Sequence, residues 1–154
     1  MPTCAIRAHA EVALVAANTP HMVFDELQRR SPIPLVSIVE ATCAEVAARG
    51  LRKPALFGTR FTMQSHFYPD DFVRPSAEEQ DVIHGIYFGE LVKGIFRDES
   101  RARLLAIIDA MLARHGIDGV ILGGTELPLI LHEAPVPLLD TTRIHVAAAL
   151  RFIR

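Results

Sequence analysis

Along the chain, short continuous apolar runs alternate with stretches whose apolar positions recur every three or four residues. Residues 12–16 (Val-Ala-Leu-Val-Ala) form such a run, as expected of a strand covered on both faces. Thr19 followed by Pro20 reads as an N-cap and first helical residue, with a helix running to about Arg30. A second strand is predicted over 34–38, then a helix over 40–49 closed by Gly50. Residues 55–58 read as a third strand, followed by a polar loop, a helical turn over 63–68 and a breaker-rich connection over 69–75. Ser76-Ala77-Glu78-Glu79 is a capping-box pattern opening a helix that is expected to reach about Phe96. Over 101–115, Leu104, Leu105, Ile107, Ile108, Met111 and Leu112 share one helical face, ended by Gly116. A fourth strand over 119–123, a short helix over 126–132, a fifth strand over 136–139 and a last helix over 141–153 complete the pattern.

Strands alternating with helices imply an α/β fold with a largely parallel, Rossmann-like sheet. Such sheets bind ligands at the C-terminal ends of their strands. Three predicted strand ends share one composition: Ala16-Ala17-Asn18-Thr19-Pro20-His21, Gly58-Thr59-Arg60-Phe61-Thr62 and Gly123-Gly124-Thr125-Glu126. Small residues let a ligand approach the backbone, while hydroxyls and free N–H groups at a helix start receive an anion. Each threonine taken alone also reads as a cap or turn residue. The three together are read as a site for a small carboxylate.

Composition narrows the chemistry. The 154 residues, half of them hydrophobic, suit one compact unit with a buried core. Sixteen Lys and Arg against eighteen Asp and Glu leave a net charge of −2, which argues against a nucleic-acid partner. No apolar run approaches the roughly 20 residues of a membrane helix, and the first residues lack a signal-peptide pattern, so a cytoplasmic location is expected. All basic residues but Lys53 and Lys93 are Arg. Lys53 opens a strand and Lys93 sits in a charged helix, poor anchors for pyridoxal phosphate, so no cofactor is expected. The seven histidines show no metal-binding spacing, and no metal is expected. No P-loop, GxGxxG or GxSxG pattern occurs. The two cysteines, Cys4 and Cys43, suggest no disulfide framework.

The segments Val15-Ala16-Ala17-Asn18-Thr19-Pro20-His21, Leu56-Phe57-Gly58-Thr59-Arg60-Phe61-Thr62-Met63 and Val120-Ile121-Leu122-Gly123-Gly124-Thr125-Glu126-Leu127-Pro128-Leu129 resemble the aspartate/glutamate racemase family of the Asp/Glu/hydantoin racemase superfamily. Pro137-Leu138-Leu139-Asp140-Thr141-Thr142 with His145 is similar to that family's closing segment. The resemblance implies two similar α/β domains with the substrate between them and chemistry without cofactor or metal. It implies 1–36 as part of a first, incomplete domain, 37–139 as a second, and 140–154 as a helix returning to the first. In the family two cysteines flank the substrate's α-carbon, one removing the proton and the other returning one. Ala17 and Gly124 stand at those positions here, and neither can be a base. The resemblance also implies that a Gly-rich strand and helix normally precede the first segment, and that the connection from Phe67 to Pro75 is shortened.

The expected activity is cofactor-independent racemisation of aspartate, glutamate or a similar small carboxylate. Asn18, Thr19, Thr59, Thr62 and Thr125 would bind the substrate. Glu126 and His21, the nearby groups able to move protons, would be catalytic. An acid at a helix start is expected to have a lowered pKa, which favours slow chemistry. The alternatives are a decarboxylase or other lyase of the same superfamily, and a catalytically inactive carboxylate-binding paralogue. An unpaired sheet edge beside 12–16 leads to the expectation of a homo-oligomer.

Overall fold

The computed structural model describes residues 9–152; Cys4 lies outside them. Its architecture is mixed α/β with parallel sheets throughout. Five strands are assigned among the described residues: β1 (Ala13–Leu14), β2 (Leu35–Val36), β3 (Pro54–Gly58), β4 (Gly119–Gly123) and β5 (Leu138–Asp140). The helices are α1 (Phe24–Arg30), α2 (Ile38–Ala48), α3 (Arg60–Met63), α4 (Ala77–Gly89), α5 (Asp98–His115), α6 (Leu127–Ile130) and α7 (Thr141–Phe152). Short 3-10 turns cover Thr19–Val23 and Leu91–Lys93.

The larger sheet has the order β3-β4-β5, with β4 in the middle. Every residue of β3 and β4 is buried, as a strand sandwiched between helices requires. Alternation divides their side chains between two layers. Ala55, Phe57, Val120 and Leu122 meet Ile83, Ile86 and Tyr87 of α4 and Leu104, Ile108 and Met111 of α5. Leu56, Ile121 and Leu139 meet Ile38, Val39 and Val46 of α2, with Tyr68 and Phe72. Each fully buried Leu or Ile contributes about 1.5–3 kcal/mol by leaving water.

The free side of β3 is covered by the connection before α4. Val73 bridges to Ala55, its N–H donating to the Pro54 carbonyl (2.9 Å) and its own carbonyl accepting from the Leu56 N–H (3.0 Å). Arg74 holds this connection in shape by donating to the carbonyls of Met63, Tyr68, Pro69 and Phe72.

The smaller sheet differs from the expectation. β1 is a two-residue ladder against β2, and Leu14 is 39% exposed, so the apolar run over 12–16 is not covered on both faces. β2 is its single partner among the described residues. Other boundaries move for identifiable reasons. The helix expected from Glu40 starts at Ile38, because Ser37 caps it by accepting the Glu40 N–H (3.2 Å). The helix expected to reach Phe96 stops at Gly89, and the chain turns back at Gly94, whose φ of 72° lies in the left-handed region. The helical turn expected over 63–68 forms earlier, as α3. The Ser76–Glu79 capping box, the Gly116 terminator and the 119–123 strand form as the pattern predicts. α7 is opened by Asp140, whose Oδ1 accepts the N–H groups of Thr142 (2.9 Å) and Arg143 (3.1 Å). Its His145 Nε2 lies 2.7 Å from the Val36 carbonyl, tying the last helix to the smaller sheet. No helix among the described residues is long and apolar enough to cross a membrane.

Candidate functional site

Gly58 and Gly123 are register partners at the C-terminal ends of β3 and β4. A Cβ on Gly58 would stand 2.9 Å from the Gly123 carbonyl oxygen, and one on Gly123 would stand 2.7 Å from the Phe57 carbonyl oxygen. Glycine therefore lets the strand ends and the Thr62 methyl group pack together, and the turns beginning at Thr59 and Gly124 leave the sheet side by side.

On the β3 side three hydroxyls form a triangle. Thr19 Oγ1 lies 3.1 Å from Thr59 Oγ1 and 3.2 Å from Thr62 Oγ1, and those two are 3.2 Å apart. Thr59 also caps α3 by accepting the Thr62 N–H (3.2 Å). The Thr19–Pro20 pattern predicts Thr19 as a helix cap. Instead it is the first residue of the 3-10 turn, and its hydroxyl reaches across to the larger sheet. The helix-start pattern and the contact with Thr59 and Thr62 use the same oxygen, and the contact prevails.

Asn18 and His21 are held by the protein itself. Asn18, 3% exposed, accepts from the Tyr68 hydroxyl (2.6 Å) and donates through Nδ2 to Thr141 Oγ1 (3.0 Å). Thr141 in turn donates to the Leu122 carbonyl (2.9 Å), joining the turn after β1 to β4 and α7 through buried bonds. The Ile38 N–H donates to His21 Nε2 (3.2 Å), which leaves the ring proton on Nδ1 to donate to the Ala17 carbonyl (2.9 Å). The ring stacks on Phe24 with centroids 4.6 Å apart. Burial pushes its pKa down. With both nitrogens engaged, His21 must break one of these bonds before it can take a substrate proton.

On the β4 side, Thr125 is exposed and Glu126 half-buried. Thr125 Oγ1 donates to Glu126 Oε2 (2.7 Å), and the Tyr87 hydroxyl donates to the same oxygen. Burial pushes the Glu126 carboxyl up, but the bonds from Tyr87, Thr125 and its own backbone N–H outweigh it and hold the pKa below the ordinary carboxylate value. Burial and the Glu126 carboxylate together push the Tyr87 phenol well above its usual range.

The predicted residues thus fall into three groups: the triangle of Thr19, Thr59 and Thr62; the buried Asn18 and His21; and the Thr125–Glu126 turn. No hydrogen bond joins the first group to the third. An open groove of about 780 Å³ begins at Thr19 and runs past Met22, Val23, Phe61 and Gln64 toward Glu40. Sequence reasoning missed Tyr68 and Tyr87. Both sit among apolar neighbours and read as core; for Tyr87 the available signal was a residue without a side chain at 124, beside the one carboxylate of the turn.

Known proteins share this fold. A candidate Asp/Glu racemase from Yersinia pestis superimposes with a TM-score of 0.88 at 32% identity, covering 98% of this chain and 70% of its own. An aspartate racemase homologue from Pyrococcus horikoshii gives 0.86 at 36% identity with the same coverage. The glutamate racemase of Thermus thermophilus, at 24% identity and a TM-score of 0.69, shares the fold over 96% of this chain and 57% of its own. The family model for Asp/Glu/hydantoin racemases matches residues 3–149, and the chain belongs to that family.

Proposed function

We propose that this chain binds aspartate, glutamate or a similar small carboxylate at the ends of β1, β3 and β4 and moves its α-proton through Glu126, without a cofactor. The observation that carries the reading is the side-by-side exit of two turns, one with the Thr19–Thr59–Thr62 hydroxyls and the other with the Glu126 carboxylate. Hydroxyls at strand ends are suited to donate to a substrate carboxylate, with Thr125 as a further donor. Glu126 then accepts the α-proton, and the electron pair left on carbon delocalises into the substrate carboxylate facing those hydroxyls. Return of the proton from Glu126 restores the amino acid.

Two groups on opposite faces of the α-carbon would be needed for efficient inversion. Ala17 has no titratable atom, Asn18 is tied between Tyr68 and Thr141, and His21 has both nitrogens engaged. The proposal is therefore one-sided transfer, with α-proton exchange faster than racemisation. A lowered pKa also makes Glu126 a weak base, which slows the step and favours as second reading a carboxylate-binding protein that does not turn over.

The test is incubation with L- and D-aspartate and L- and D-glutamate in D₂O. NMR reads deuterium at the α-carbon, chiral chromatography reads inversion, and calorimetry reads binding. Exchange outrunning inversion and lost in Glu126→Gln supports the proposal. Binding without exchange supports the second reading, and absence of both contradicts the two together.

A further inference from the structure

Tyr87 lies on the sheet-facing side of α4, one helical turn after Ile83 and only 7% exposed. Its ring covers the Cα of Gly124: a Cβ built there would stand 2.5 Å from Tyr87 Cε2, 2.9 Å from its hydroxyl oxygen and 3.0 Å from Cζ. Gly124 does not have a positive φ, so its backbone does not require glycine. What a side chain there would meet is the Tyr87 ring. Packing alone would be served equally by phenylalanine, which has the same shape, so the hydroxyl is the informative atom. Its described partner is Glu126 Oε2, across 39 residues of sequence.

We propose that Tyr87 is a positioning residue: it occupies the side-chain space of position 124 and fixes the Glu126 carboxylate in one orientation at the end of β4. Gly124 and Tyr87 are then one unit, the missing side chain making room for the phenol that holds the acid. A cysteine at 124 does not fit while Tyr87 keeps this place. The groups acting on Glu126 are Tyr87 from α4, Thr125 from its own turn and its own backbone N–H, with no charged side chain from another element among the described residues. The inference rests on the reading of Glu126 as the proton-moving group for its catalytic meaning, but the placement can be tested without turnover.

The experiment is a carboxyl-¹³C NMR titration of Glu126, its signal assigned by loss in Glu126→Gln, in the full chain and in Tyr87→Phe. Phenylalanine keeps the ring and its packing, so this variant is expected to fold, which its unfolding curve checks. The midpoint of Glu126 is expected to move up when the phenol is gone, because one bond to the ionised form is lost. Stability measurements give a second readout. Gly124→Ala is expected to destabilise the chain when Tyr87 is present and to cost little in a Tyr87→Ala background, a non-additive pair. An unmoved Glu126 midpoint in Tyr87→Phe, or additive costs, overturns the proposal. If the midpoint moves but no variant exchanges an α-proton, the positioning stands and the catalytic reading of Glu126 fails. If exchange occurs, the acid limb of its pH profile in Tyr87→Phe is expected to follow the Glu126 midpoint upward.

Discussion

At the end of β1, Asn18 and His21 direct all their side-chain polar groups inward: Asn18 to Tyr68 and Thr141, His21 to the Ala17 carbonyl and the Ile38 N–H. At the end of β4, Thr125 and Glu126 turn toward each other and toward one phenol, and both keep some exposure to solvent. The local sequences are alike, with small residues, a threonine and a helix start. What separates them is the company each keeps. The β1 turn is pressed between the larger sheet, α2 and α7, where a polar atom without a partner would cost about 1–3 kcal/mol, so its polar atoms become struts. The β4 turn opens at the edge of the packed layers, where a carboxylate stays ionised and reachable. Similar turn chemistry therefore gives a structural lock at Asn18 and His21 and leaves a partly exposed carboxylate at Glu126, the group proposed above to move the proton.

The largest expected effect comes from breaking the lock. Asn18→Ala leaves the Tyr68 hydroxyl without its described acceptor and removes a donor from Thr141, two losses inside the core, and should destabilise the chain by about 2–5 kcal/mol. Denaturant unfolding followed by circular dichroism measures this. A loss below about 1 kcal/mol would show that the strut carries little.

A smaller effect is expected where the two turns meet. Gly58→Ala places a methyl group 2.9 Å from the Gly123 carbonyl oxygen and 3.0 Å from Thr62 Cβ, and neither neighbour is the end of a flexible side chain. The expected cost is about 1–3 kcal/mol, as for overpacked cores. Because the methyl group also displaces Thr62, carboxylate binding should weaken in the same variant. Equal stability with unchanged binding would contradict the close approach of the strand ends.

The pH dependence of stability sharpens the β1 side. Burial holds the His21 pKa below the ordinary value of 6.5, the bond to Ala17 opposing this in part and His145 adding to it. The folded state then binds fewer protons here than the unfolded chain, so this contribution is full above pH 6.5 and is lost as pH falls below it. Unfolding curves between pH 7.5 and 5 should show that decline, and His21→Asn should flatten it. A decline of equal slope in the variant would assign it to other groups.

The sequence carried much of this arrangement, unevenly. Segments whose local pattern agrees with their packing were legible: the 119–123 strand, the Ser76–Glu79 capping box, the helix ended by Gly116, and the glycine-threonine strand ends that mark the family. The parts that were not legible depend on distant partners. Residues 12–16 read as a fully covered strand, but coverage is set by which neighbours a strand acquires, and β1 has a two-residue ladder. Asn18 read as a ligand group because its partners lie 50 and 123 residues away. His21 read as free because the Ile38 N–H that occupies it comes from the start of α2. Tyr87 sits at helical spacing from Ile83 and among apolar neighbours, and nothing local marks its hydroxyl as the partner of Glu126.

The difference between the two strand ends is tested most directly by the rate of deuterium incorporation at the α-carbon of aspartate in Glu126→Gln and in His21→Asn. Each rate is corrected for the fraction of protein folded under the assay conditions. The account predicts a loss of at least about 100-fold in Glu126→Gln, the scale of a removed acid–base group. In His21→Asn it predicts lower stability and a corrected rate within a few-fold of the parent chain. Exchange abolished by His21→Asn in fully folded protein, and retained in Glu126→Gln, would place the chemistry at the end of β1 and contradict the account.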